Sequence, residues 1–178
     1  MEKFAQGRER QQRKKRNVLI GVGAALAVIA VLCLWYTRPQ KLTQVLDGRK
    51  PVRLSACLSD ENPIVEDNGR VTANIDTWLL NGVEEGDAAL DGIWLVLDDA
   101  ACRASLRSLI PRGSYDFNAP GVILLSFVWE DQSYRSLNLG SGGELTVASD
   151  TGWDIYRVDP AVFDALAAVI QAYGEFQK

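Results

Sequence analysis

The sequence predicts an α+β protein: one amino-terminal membrane helix, then a small domain of antiparallel sheet packed by two helices. Three observations carry this reading. Val18 to Tyr36 contains no charge, no proline and no strongly polar side chain. Beyond it, β-prone runs recur between short turns of Gly, Ser, Asp and Asn. Near the carboxyl terminus, apolar residues return at helical three- and four-residue spacing.

The basic head, residues 1–17, holds Lys3, Arg8, Arg10, Arg13, Lys14, Lys15 and Arg16 against Glu2 and Glu9. It is too short to bury a core. Residues 18–36 follow as the span, because at ~1.5 Å rise per residue a helix of this length crosses the ~30 Å hydrocarbon core of a bilayer. A buried core helix would carry a polar face, and this stretch has none. The exit, Trp35-Tyr36-Thr37-Arg38-Pro39, lacks the small-x-small pattern of a signal-peptide cleavage site. Cys33 follows Val31-Leu32 inside the span, which disfavours lipid attachment. Arg13, Lys14, Lys15 and Arg16 retain the amino terminus in the cytoplasm, while Trp35 and Tyr36 supply the aromatic belt at the far interface. The expected location is therefore the cell membrane, with the body on the extracytoplasmic side. Gly21 with Ala25, and Gly23 with Ala27, have the small-xxx-small spacing that lets two membrane helices approach, so a homodimer is one candidate assembly.

Residues 37–50 read as a juxtamembrane linker with a short helical piece within Lys41–Asp47, ended by Gly48. Residues 51–178 form the domain. Pro51 to Leu58 alternates and predicts a strand; Ser59 to Gly69 reads as a loop, with a turn at Asn68-Gly69; Arg70 to Ile75 predicts a second strand. Asp76 to Asp91 gives no clear signal, and its end, Asn81 to Gly92, looks like an exposed acidic loop. Ile93 to Leu97 is read as a buried strand, and Asp98 or Asp99 as the cap of an internal helix to about Ile110, stopped by Pro111-Arg112-Gly113. Gly121–Trp129, strongly β-prone and apolar on both faces, predicts a central, covered strand. With Tyr134–Leu139, Glu144–Ala148 and Trp153–Val158 it makes a four-strand meander. Asp159-Pro160 starts the last helix, Val162, Phe163, Leu166, Val169, Ile170 and Tyr173 form its apolar stripe, and Gly174 stands at its end.

Several chemistries are disfavoured by composition. The sequence has no histidine, which removes Ser-His and Cys-His nucleophiles and histidine-ligated zinc. From Leu54 onward acids greatly outnumber bases, an unsuitable surface for nucleic acid. Gly140-Ser141-Gly142-Gly143 is not a nucleophile elbow, and Walker and EF-hand spacings are absent. No cofactor is indicated. Cys57 and Cys102 either pair as an extracytoplasmic disulfide or stay as two buried thiols. The loop acids would serve a carboxylate-dependent envelope hydrolase, but solvated loops and helix caps account for them. Trp78, Trp94, Trp129, Trp153, Tyr134 and Tyr156 are candidates for a binding platform, or else core residues, with Trp129 or Trp153 expected under the final helix. The reading that combines these points is a membrane-anchored, non-enzymatic binding or accessory domain with a membrane-protein partner or a second copy. The carboxylate hydrolase is its alternative.

Overall fold

The computed structural model describes residues 2–65, 71–106, 121–149 and 152–177. It divides into two units, residues 1–38 and 39–178. The first is a single helix, α1, Glu2–Tyr36. The basic head is thus the first part of the same helix that carries the apolar stretch. Thr37 ends it: its hydroxyl and amide both donate to the Cys33 carbonyl, at 2.9 and 3.0 Å.

Among the described residues the second unit is α+β, with one antiparallel sheet of nine strands. In chain order come β1 (Pro39–Lys41), α2 (Leu42–Val45), β2 (Arg53–Val65), β3 (Val71–Glu84), α3 (Ala88–Asp99) and β4 (Ala101–Ala104). They are followed by β5 (Gly121–Val128), β6 (Tyr134–Gly140), β7 (Glu144–Ser149), β8 (Gly152–Val158), α4 (Ala161–Tyr173) and β9 (Glu175–Gln177). The strand order is β1-β4-β8-β7-β6-β5-β2-β3-β9. From β5 to β8 sequence neighbours are sheet neighbours, joined antiparallel.

One face of this sheet holds the core. Leu54, Ala56 and Leu58 on β2 stand opposite Phe127, Leu125 and Ile123 on β5, and Leu137 and Leu139 continue the layer on β6. Leu90, Ile93 and Leu97 of α3 and Phe163, Leu166 and Ile170 of α4 cover it. The two helices cross where α3 has no side chain, since a Cβ on Gly92 would lie 3.3 Å from Val169. Helix α3 touches both β1, at one edge, and β3, next to the other. The sheet therefore curls around its helices.

Several expectations are corrected. Ile93–Leu97 is not a strand but the middle of α3, since a short apolar run fits a buried helix as well as a strand. Asp87 caps that helix by accepting from the Ala89 amide at 2.9 Å, and Leu90, Ile93 and Leu97 recur at helical spacing on its buried side. Asp98 and Asp99 are then the last turn of a helix rather than the first, and Ala101–Ala104 is a strand. The expected continuation through Leu109 and Ile110, and its stop at Pro111-Arg112-Gly113, lie outside the described residues. Asn81–Glu84 belongs to β3, and Ser59–Val65 to β2, because pairing between these two strands carries the polar segment Asp60-Glu61-Asn62-Pro63 into the sheet. The Asn68-Gly69 turn is outside the described residues. Strand β5 is central but buried on one face only, with Leu124 on the other side 43% exposed.

The segment 37–50 is largely not a linker. Strand β1 pairs with β4, the Leu42 amide donates to the Ala100 carbonyl at 2.9 Å, and Leu42 and Leu46 are fully buried. The Trp129 indole N–H donates to the Arg49 carbonyl at 2.8 Å. The loop after α2 is fixed by charge as well: Arg49 meets Asp131 at 3.2 Å, Arg135 meets Asp47 at 3.2 Å, and Lys50 meets Asp91 at 2.7 Å. Only Thr37 and Arg38 stand between α1 and the sheet.

Candidate functional site

Two features stand apart from the packed core: the apolar part of α1, and the sheet face turned away from α3 and α4. Asn17–Tyr36 is a 20-residue segment of mean hydropathy 2.7, and none of it is buried. That is long and apolar enough to cross a membrane, a property shared by membrane anchors and signal sequences. At its carboxyl end Trp35 is 63% exposed, and the Arg38 guanidinium lies 5.2 Å from the centre of the indole ring. This is a cation–π arrangement suited to an interface where ring and charge meet different media. Arg13, Lys14, Lys15 and Arg16 lie on the same unbroken helix. Gly21 and Gly23 have nothing packed near them, and Ala25 and Ala27 are exposed one turn further along.

The outer sheet face is built by strand alternation. A row of paired positions runs across six strands: Leu79, Cys57, Leu124, Asn138, Thr146 and Ile155. Its middle is apolar and open at Leu124. Toward β8 it closes: Ile155 is 5% exposed and Thr146 fully buried, with a hydroxyl that has no hydrogen-bond partner. Two exposed aromatics share this face, Tyr134 on β6 and Trp153 on β8, and the Tyr134 hydroxyl is 3.2 Å from that of Ser126.

The other candidate aromatics are spent elsewhere. Trp129 is buried in the core, and Trp94 packs half-buried on α3. Trp78 meets Phe176 with ring centres 5.2 Å apart, fastening β9 to β3. Asp154, next to Trp153 in sequence, pairs with Val147 on the core side of the sheet.

Asp60 and Asp76 stand opposite each other on β2 and β3, and other described acids serve structural contacts. Asp87 caps α3, Asp91 takes Lys50, and Glu84 takes Arg53 at 3.4 Å. Asp98 accepts from Thr43 at 3.0 Å and from Lys41, and these hydrogen bonds hold its carboxyl below the ordinary carboxylate range. Asp131 is lowered to about 2, chiefly by the Ser133 hydroxyl and amide, with Arg49 adding to the effect. Among the described residues no three of His, Cys, Asp and Glu gather as a metal site would require.

Cys57 and Cys102 are both free thiols. Cys57 lies on β2 and Cys102 on β4, five strand positions apart. They also alternate to opposite faces, for Cys102 is fully buried in the core and Cys57 joins the outer row. A disulfide needs Cα atoms closer than about 7 Å, so the pairing alternative is corrected to two separate thiols. Burial pushes the Cys102 thiol up to about 11.

Comparison with protein-family models, with curated proteins and with solved structures finds no match to this chain.

Proposed function

We propose that this is a single-pass membrane-anchored protein whose body binds or accompanies a partner on the extracytoplasmic side of the cell envelope, without catalysis of its own. The observation that carries the reading is the junction at residues 36–39. An unburied apolar helix of spanning length ends two residues before a strand that belongs to the sheet. Cutting there, as a signal peptidase would, meets Trp35-Tyr36-Thr37-Arg38, where small side chains are required. The clustered Arg13, Lys14, Lys15 and Arg16 orient the helix with its amino terminus inside. The absence of histidine and the structural use of Asp87, Asp91, Asp98 and Glu84 support a binding role over a hydrolytic one.

Alkaline carbonate extraction of native membranes, followed by mass determination of the retained protein, is the first test. The full-length mass in the pellet, with the body digested by protease added outside intact cells, is the expected result. A body released to the soluble fraction with residues 1–36 removed would overturn the reading. Crosslinking from the same membranes would then identify the partner protein, with capture of a second copy of the chain assigning the Gly21 and Gly23 helix face to a homodimer.

A further inference from the structure

Beyond Leu54 the structure describes three arginines, in a body dominated by acids. Arg135 is paired with Asp47 at 3.2 Å. The other two, Arg103 on β4 and Arg157 on β8, are direct cross-strand neighbours on the outer sheet face. Both are exposed, and no ion pair or hydrogen bond among the described residues engages either side chain. Like charges placed directly opposite in a sheet are destabilising. Glu144 follows Arg157 in the same row, and Pro39 precedes Arg103, so the order across the sheet is Pro39, Arg103, Arg157, Glu144. One carboxylate at the end of the row leaves the two adjacent guanidinium groups with an excess of positive charge.

That row lies at the end of β1 where the chain leaves the apolar helix. Three residue steps hold the Pro39 Cα within about 11 Å of the Tyr36 Cα, whatever path the backbone takes. A neighbouring strand adds about 4.8 Å, which brings Arg103 to within roughly 16 Å of that helix end. The polar headgroup layer extends roughly 5–8 Å beyond the hydrocarbon on each side, and an arginine side chain spans much of the remaining distance.

We propose that Arg103 and Arg157 form a docking patch for the phosphate groups of an anionic lipid surface. The inference rests on the anchoring reading above. Two guanidinium groups side by side match the oxygens of adjacent phosphates, and Arg is suited to that contact because its planar fork binds them bidentately. The lipid also removes the repulsion that the bare pair carries. An acidic body would otherwise be repelled by the same surface, so the patch selects which side of the domain can approach.

The test uses the full-length protein in nanodiscs made either of phosphatidylcholine alone or of phosphatidylcholine with phosphatidylglycerol, read by amide hydrogen exchange. Exchange in β4 and β8 is expected to slow about fivefold or more in the anionic discs, and the difference to vanish at high salt. The double variant Arg103→Gln, Arg157→Gln should lose this protection while β5 exchanges as in the parent, which reports an intact core. Equal exchange of β4 and β8 in the two discs would overturn docking while leaving the anchor intact, as would protection that persists in the double variant. Equal protection by soluble glycerol phosphate in the neutral discs would assign the arginines to a free anion and overturn membrane docking too. Loss of the protein from both kinds of disc would overturn the anchor and the patch together.

Discussion

The two faces of the nine-stranded sheet are made from the same strands but do different work. On the inner face Leu54, Leu58, Ile123, Leu125, Phe127, Leu137 and Leu139 are at most 1% exposed under α3 and α4. On the outer face Leu124 and Trp153 are 43% and 46% exposed, Tyr134 more so, and two arginines stand together without a carboxylate between them. Alternation along each strand produces this split without any change in backbone. The inner face holds the fold together. The outer one is open around Leu124, Tyr134 and Trp153.

Adjacent leucines on β5 give the sharpest way to break that contrast. Leu125→Ala removes a fully buried side chain between β2 and β6 and should cost about 2–5 kcal/mol of unfolding free energy. Leu124→Ala, one residue away on the other face, should cost under about 1 kcal/mol. Urea unfolding of the two variants checks this directly. Similar losses at both positions would mean that the outer face is as tightly covered as the inner one.

The thiols probe the same contrast at smaller amplitude. Cys57 belongs to the outer row beside Leu79 and Leu124, whereas Cys102 is buried with its pKa raised to about 11 by desolvation. Alkylation near pH 8, mapped by mass spectrometry, should modify Cys57 in the native protein and Cys102 only after unfolding. Because the folded pKa of Cys102 lies above the unfolded value of about 8.5, its contribution to stability is complete below that value. It is lost as pH rises toward 11. Rapid native labelling of Cys102 would show that β4 opens from its neighbours β1 and β8.

How much of this was legible from residues alone varies along the chain. The apolar helix and the segments from Gly121 to Tyr173 were readable because each signal is local: an uncharged run, short turns between β-prone runs, a cap followed by a helical stripe. The region from Ser59 to Ala104 is hard to read because its signals are not local. Asp60-Glu61-Asn62-Pro63 looks like a loop until β3 is laid beside it in register. Ile93–Leu97 taken alone fits a strand; only with Asp87 as cap and Leu90 as the first buried position does the helical spacing emerge. Residues 37–50 resemble a linker for a related reason, since Leu42 and Leu46 find their cover on elements far along the chain. The outer face could not be read at all. Arg103 and Arg157 are far apart in sequence, and no pattern within either segment announces that β4 and β8 pair.

The smallest expected effect concerns how the loop after α2 is held. Asp131 accepts from the Ser133 amide and hydroxyl and pairs with Arg49, whose carbonyl in turn receives the Trp129 indole N–H. Its folded pKa of about 2 lies below the unfolded value of about 3.9. A group lowered in this way stabilises the fold above pH 4 or so, and that contribution disappears as pH falls toward 2. Asp98, lowered by Thr43 and Lys41, acts in the same direction on α3. Both carboxylates are exposed, so each acts through water and the individual effect is modest. Asp131→Asn should therefore lower thermal stability slightly at neutral pH and flatten its decline between about pH 4 and 2. An unchanged acid limb in the variant would place the acid sensitivity of the body elsewhere, and the charge contacts of Arg49 would then be ornaments on a segment already held by Leu42, Leu46 and the Trp129 hydrogen bond.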